Sequence, residues 1–248
     1  TTLLERHLAK RGFQWYVATA DPDSAIQTGV ISRLPITMAR VHGVPGCRSV
    51  LEVTIDAGGF PLVVLALHAK SRSEGVEETE GQRIALTRVL RTVGDELLAT
   101  DPLAEVLIAG DFNESADAYL REGSLVQTAL VPAGAAGAAG YASQGSLLLS
   151  GSQPSAGVWY SWWLDRSSGI TANLDGSYWF RGVWETFDQI LLSPGFFDGG
   201  GWDFEKGQVD AQHMLCDASG YPYAWNIMLK EGFSDHLPVY MVLRRPEV

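Results

Sequence analysis

The sequence is poor in cysteine, in basic residues and in long apolar runs. Two cysteines, Cys47 and Cys216, stand among 248 residues. Two thiols cannot complete a zinc site unaided, and neither has a histidine at zinc-ligand spacing. One disulfide and two free thiols both fit that count. Lysine and arginine total 18 against 29 acidic residues, a formal net charge of −11. Such a chain is poorly steered towards polyanions. That argues against a tight, nonspecific nucleic-acid binder, whose affinity would rest on basic patches. It still admits an enzyme whose own cations neutralise an anionic substrate locally. No apolar run reaches the roughly 18–20 residues that a membrane-spanning helix needs. No secretory signal is legible at residues 1–15, and Thr1 stands where an initiator Met would. A soluble protein is expected, and a secreted or periplasmic one is compatible with that start. Two catalytic motifs are also missing. There is no G-x-S-x-G of a serine hydrolase and no G-x-x-x-x-G-K-[ST] phosphate loop.

What is present reads as one large domain of strands with few helices. Leu3, Leu4, His7 and Leu8 have helical spacing, so residues 1–11 suggest a short helix. Residues 13–18 read as a strand, and "GVISRLPIT" as two strand pieces meeting at Pro35. "RSVLEVTID" alternates like a half-buried strand, and "FPLVVLALH" follows after Asp56-Ala57-Gly58-Gly59, the pattern of a hairpin. Over residues 77–99, Ile84, Leu86, Val89, Leu90, Val93, Leu97 and Leu98 form a helical stripe, with Arg83, Arg88 and Arg91 mainly off it. "AEVLIAG" is a buried strand with a shorter helix after Asp111. Residues 132–157 are rich in Gly, Ala and Ser and low in charge; they read as a surface excursion, which the Trp-rich segment extends to residue 186. "VWETFDQILLS" and "LPVYMVLR" are strands, and residues 194–232 read as irregular.

Four polar interruptions fall at or near strand ends: His68, Asp111 with Asn113, Asp188, and Asp235 with His236. Each has an ordinary explanation. A strand-end histidine is commonly structural. "GDFNES" could cap a helix. Asp188 could pair with Arg181, and "SDH" could be a turn before Pro238. Together they make a toolkit for metal-assisted phosphoryl chemistry. Carboxylates hold Mg²⁺ or Mn²⁺ as hard oxygen ligands. An aspartate can take a proton from water. An amide and imidazoles can bond phosphate oxygens as charge builds, and an aspartate can fix a histidine tautomer.

"LHAKS", "GDFN", "WETFDQILLS" and "SDHLPV", in this order and spacing, resemble the endonuclease/exonuclease/phosphatase superfamily, from about residue 13 to 244. "TGVISRLPI" resembles the segment where a strand precedes that family's metal-site hairpin. The resemblance implies an α/β fold, a four-layered sandwich of two packed, mostly antiparallel sheets flanked by helices. It implies a divalent-metal-dependent phosphoesterase, using Mg²⁺ or Mn²⁺, that cleaves a phosphodiester or phosphomonoester by in-line attack of water. Asp111 would orient or deprotonate that water, and Asn113 would bind the scissile phosphate. Asp235 would help hold the metal. His236 would face the phosphate, Asp188 would fix its ring, and His68 would bond a non-bridging oxygen. Lys70 would contribute to substrate binding.

One departure stands out. The family opens with a strand carrying an Asn and then a strand–helix segment with a metal-binding Glu. Here only Glu5 lies near the start, inside the expected helix. The resemblance therefore puts the principal Glu upstream of residue 1. It leaves the first strand's position beside the strands carrying His68, Asp111 and His236 either vacant or filled by another chain. Superfamily membership does not choose the substrate, nucleic acid or other. Trp159, Trp162, Trp163, Tyr178, Trp179 and Trp184 could line a cleft rim or bury themselves as loop cores. An alternative is a catalytically lapsed relative that binds a phosphorylated ligand or a protein partner.

Overall fold

The computed structural model describes residues 9–10, 15–21, 23–124, 126–165 and 174–245. The helix expected over residues 1–11, Glu5 included, falls mainly outside them. The strands are β1 (Tyr16–Thr19), β2 (Gly29–Ser32), β3 (Ile36–His42), β4 (Val50–Asp56), β5 (Pro61–His68), β6 (Val106–Asp111), β7 (Leu130–Pro132), β8 (Leu147–Ser150), β9 (Val158–Ser161), β10 (Tyr178–Phe180), β11 (Val183–Glu185), β12 (Asp188–Leu192), β13 (Asp203–Val209) and β14 (Val239–Arg244). The helices are α1 (Val76–Thr100), α2 (Ala118–Arg121) and α3 (Ala138–Ser143).

One eight-stranded sheet runs β3-β4-β5-β6-β12-β9-β8-β7. It is mixed: β5–β6, β7–β8 and β8–β9 are parallel and the other pairs antiparallel. Three two-stranded ribbons, β1–β2, β10–β11 and β13–β14, complete the described strands. The expected pair of large, mostly antiparallel sheets is thus one large mixed sheet with ribbons. A parallel β5–β6 pair requires a crossover. The 25-residue α1 supplies it.

Alternation along β4 sorts its side chains between two cores. Val50 joins Leu65, Leu67, Leu86, Leu90 and Val93, the cluster that α1 seals. Leu51, Val53 and Ile55 join Ala18 and Ala20 from the β1 region. Both faces of β4 are therefore covered. This is why Glu52, expected on a solvent face, is only 2% exposed. Its carboxylate is matched by His42 Nε2 at 2.6 Å. Burying a carboxylate without such a partner is costly.

Several differences from the sequence reading share one cause, that pairing is long-range. "GVISRLPIT" splits between two sheets, with β2 on β1 and β3 on β4. "VWETFDQILLS" splits likewise into β11 and β12. The segment 132–157, read as a surface excursion, supplies α3 and β8 and leads into β9, and both strands lie inside the large sheet. The irregular stretch 194–232 contains β13. Trp159, Tyr160, Trp162 and Trp163 are buried core, not a rim. Cys47 and Cys216 are free, half-buried thiols. β5 and β6 have strand neighbours on both sides, so no vacancy lies beside His68 or Asp111. β14, which follows His236, pairs with β13 on one edge and with no described strand on the other. No helix among the described residues is long and apolar enough to cross a membrane.

Candidate active site

Backbone register assembles the site. His68 ends β5, and parallel pairing sets it beside Asp111, which ends β6. On the other side of β6, antiparallel pairing sets Asp188, the first residue of β12, beside Asp111. Three polar groups from distant parts of the chain therefore share one level on adjacent strands. Gly110 permits the bend just before Asp111. Its φ is +148°, and a Cβ there would lie 2.0 Å from the carbonyl oxygen of Leu67. Gly110→Ala is expected to lower stability by about 2 kcal/mol or more through that strain. Urea unfolding measures it, and an unchanged midpoint would remove this account of the glycine.

Asp111 is held by its own loop. The Asn113 backbone N–H donates to Asp111 Oδ1 at 2.7 Å, and the Asn113 side-chain amide donates to Oδ2 at 2.9 Å. Asn113 adopts φ +50° to do this. The same amide reaches the Ala69 carbonyl at 3.4 Å. Asp111 is therefore no helix cap, and α2 begins only at Ala118. His68 Nε2 lies 3.5 Å from Asp111 Oδ2.

His236 Nδ1 meets Asp188 Oδ2 at 2.8 Å. Ser177 Oγ donates to the same oxygen at 2.5 Å. The His236 ring lies against Tyr178, 4.6 Å between centroids, and the two residues form a β-bridge. Arg181 plays no part in holding Asp188; its guanidinium sits over Phe180. "SDH" is also a turn, with the His236 N–H on Ser234 Oγ.

These surroundings tune the acids and bases. Burial, reinforced by the charge of Asp188, pushes the Asp111 carboxyl up to about 6. For His236, burial pulls downward, but the Asp188 hydrogen bond and the charges of Asp188, Asp111 and Asp235 outweigh it, so its pKa rises. His68 moves the other way, lowered by burial and by the neighbouring Arg48 and His236 charges. The two imidazoles are thus split, one biased to carry a proton and one to be neutral.

Asp111, Asp188 and His236 present ligand atoms within 4.8 Å of one another. The exposed Asp235 is not in that trio, although its charge is felt by Asp111 and His236. Lys70 turns away to Glu74, 2.5 Å from Nζ to Oε1. It lines a separate pocket with Asp21 and Arg48. A cleft of about 540 Å³ opens beside Asn113, walled by Arg72, Tyr178, Phe180 and Phe187.

Behind Asn113 lies a buried charge cluster that periodicity hid. Arg83, placed off the apolar stripe from the sequence, is fully buried. Its guanidinium bonds Glu80 Oε2 at 2.6 and 3.0 Å and lies 3.5 Å from Glu114 Oε2. Glu80 and Glu114 accept the N–H groups of Ala129 and Leu130. Full burial, then the charge of Glu80, pushes the Glu114 carboxyl up to about 8. Ser177, Arg72 and Glu114 were absent from the sequence-derived site, whereas Tyr178, read as a candidate cleft-rim residue, does line the cleft. Glu114 adjoins "GDFN", the one signal that could have flagged it.

No protein-family model matches the sequence, and no curated protein matches it. Solved structures do. A humanised D. rerio TDP2 carrying 14 mutations superposes with a TM-score of 0.57 at 15% identity, over 96% of this chain and 80% of that one. TDP2 from C. elegans gives 0.56 at 16%, over 95% and 60%. A 3′ phosphatase from Neisseria, bound to a product DNA hairpin, gives 0.53 at 17%, over 97% and 82%. At 15–17% identity these likenesses show that the chain shares the α/β fold of these TDP2 and 3′ phosphatase structures.

Proposed function

We propose that this protein is a divalent-metal-dependent hydrolase of phosphoester bonds, acting on a nucleic-acid phosphoester. The observation that carries the reading is the convergence of His68, Asp111, Asn113, Asp188 and His236 on one end of the large sheet. Two similar structures support the substrate class, since D. rerio TDP2 and the Neisseria phosphatase were solved with DNA products. The net charge of −11 favours a short or single-stranded target over long duplex DNA.

Asp111, fixed by two Asn113 hydrogen bonds, orients the attacking water and takes its proton. A carboxyl near 6 is largely ionised at neutral pH, yet basic enough to accept that proton. Asp188 accepts the His236 Nδ1–H and directs Nε2 towards the substrate. The raised pKa of His236 keeps a proton there for a phosphate oxygen as negative charge builds. His68 and Asn113 flank the same oxygens. The donor set fits a hard cation, because Asp111 and Asp188 offer carboxylate oxygens beside the His236 imidazole and no thiol stands among them. Mg²⁺ or Mn²⁺ held there would supply charge neutralisation on the phosphate.

The test uses the full-length protein with bis-p-nitrophenyl phosphate, supercoiled DNA, single-stranded oligonucleotides and inositol phosphates. Hydrolysis is expected in Mg²⁺ or Mn²⁺ and not in excess EDTA. Full activity in EDTA would remove the metal from the proposal, and hydrolysis of none of these esters would remove the proposal itself.

A further inference from the structure

The cleft beside Asn113 contains a guanidinium with no hydrogen-bond partner. Among the described residues the Arg72 guanidinium makes no hydrogen bond or ion pair, and its Nε is buried without a partner. The guanidinium carbon lies 5.2 Å from the Phe187 ring centroid, and Glu114, Glu185 and Glu80 act on Arg72 through their charge without bonding it. The other arginines near this end of the sheet have contacts of their own, Arg48 on the His68 and Ala69 carbonyls and Arg181 over the Phe180 ring. Arg83 is saturated by Glu80, Thr79 and backbone carbonyls. Arg121 bonds Glu185 at 2.5 Å. That bond matters for the cleft, because Glu185 is its one acidic wall residue. Arg121 and Ser115 both bond Glu185 Oε2, and Glu185 meets Arg72 through its charge alone, with no hydrogen bond between them.

Partial burial of an unpaired guanidinium is unfavourable. Burial, ahead of any neighbouring charge, lowers the pKa of Arg72. The penalty is offset when a planar, bidentate anion such as phosphate arrives, since the guanidinium fork matches it. The rest of the cleft suits a nucleotide. Tyr178 stacks on Phe180 and Phe187, with centroids 6.1 and 5.1 Å apart, and Phe180 is half exposed with Arg181 over it. Aromatic faces beside a cation are how single strands are held without sequence readout.

Resting on the function proposed above, we propose that Arg72 binds a second phosphate of the substrate, next to the one cleaved at Asp111 and His236. The cleft is then a subsite for a single-stranded nucleotide end, and Asn113 is the wall it shares with the reacting phosphate.

The experiment measures binding of 5′-phosphorylated tetrathymidylate in EDTA, where no turnover occurs, for the wild type, Arg72→Gln and Arg72→Lys. Arg72→Gln is expected to bind at least about tenfold more weakly. It should also lose about 0.7 from the slope of log affinity against log salt, the signature of one lost phosphate contact on a single strand. Arg72→Lys should fall between, retaining charge without the fork. In Mg²⁺, the loss of kcat/KM for Arg72→Gln should be at least about tenfold larger on the tetranucleotide than on bis-p-nitrophenyl phosphate, which has a single phosphate. Thermal midpoints should stay level, because no partner is orphaned. Equal affinities and salt slopes for wild type and Arg72→Gln would overturn the subsite, as would equal kinetic losses on both esters. A wild type that binds the tetranucleotide through Arg72 but hydrolyses no ester would sink the enzymatic reading and leave the subsite standing.

Discussion

His236→Ala is expected to lower kcat by about a thousandfold or more in the full-length enzyme. Loss of a positioned general acid or hydrogen-bond donor costs on that order. Asp188→Asn is expected to lose less. It removes the negative charge that raises the His236 pKa but leaves the imidazole in place, and Ser177 remains to hold the side chain. The double variant should be little worse than His236→Ala, because Asp188 acts through His236 at 2.8 Å. Steady-state kinetics on bis-p-nitrophenyl phosphate provide the comparison. Losses that multiply fully would mean the two groups work independently. The pairing argument would then be wrong, even if both residues matter.

The second large effect is on stability. Arg83→Leu is expected to cost about 3–5 kcal/mol, the usual consequence of stripping a buried ion pair of one partner. Glu80 and Glu114 would face each other with no cation between them, under the Asn113 loop. Activity should fall along with stability, since Glu114 is the next residue after Asn113. Glu114→Gln is the contrasting variant. The Glu114 carboxyl is raised from 4.5 to about 8 in the folded chain, so folding takes up a proton. Its contribution to stability is present in full below about pH 4.5 and fades as pH rises through about 8. The wild type should therefore lose stability relative to Glu114→Gln between pH 5 and 9. Urea midpoints across that range decide it, and parallel pH profiles would show that Glu114 is ionised throughout.

The parts legible in the sequence were those carried by local period. The β4–β5 hairpin and α1 sit within a residue or two of where alternation and the Leu/Val stripe put them. Asp111, Asn113, Asp188 and His236 were legible because each breaks an apolar strand or its edge. Burial by partnership left no trace. Arg83 looked like a solvated helix face because nothing local announces Glu114, 31 positions on. β8 looked like loop because a short strand in a Gly/Ala/Ser-rich stretch gains its stability from neighbours and not from composition. Arg72 was hidden for the opposite reason. A cation without a partner looks the same in sequence as one with many.

Because His68, Asp111 and Asp188 occupy neighbouring rungs of one ladder, their spacing is not freely adjustable. Adjacent strands stand about 4.8 Å apart, so the row spans roughly 10 Å, close to the breadth of a phosphate with its flanking groups. A slip of one position would send a strand's side chains to the opposite face. A slip of two would carry them nearly 7 Å along the strand. The reacting centre can change in jumps but cannot drift. Gradual change in what the protein accepts has to come from parts outside the ladder, such as the turn bearing Arg72 and the β10–β11 hairpin with Tyr178, Phe180 and Arg181.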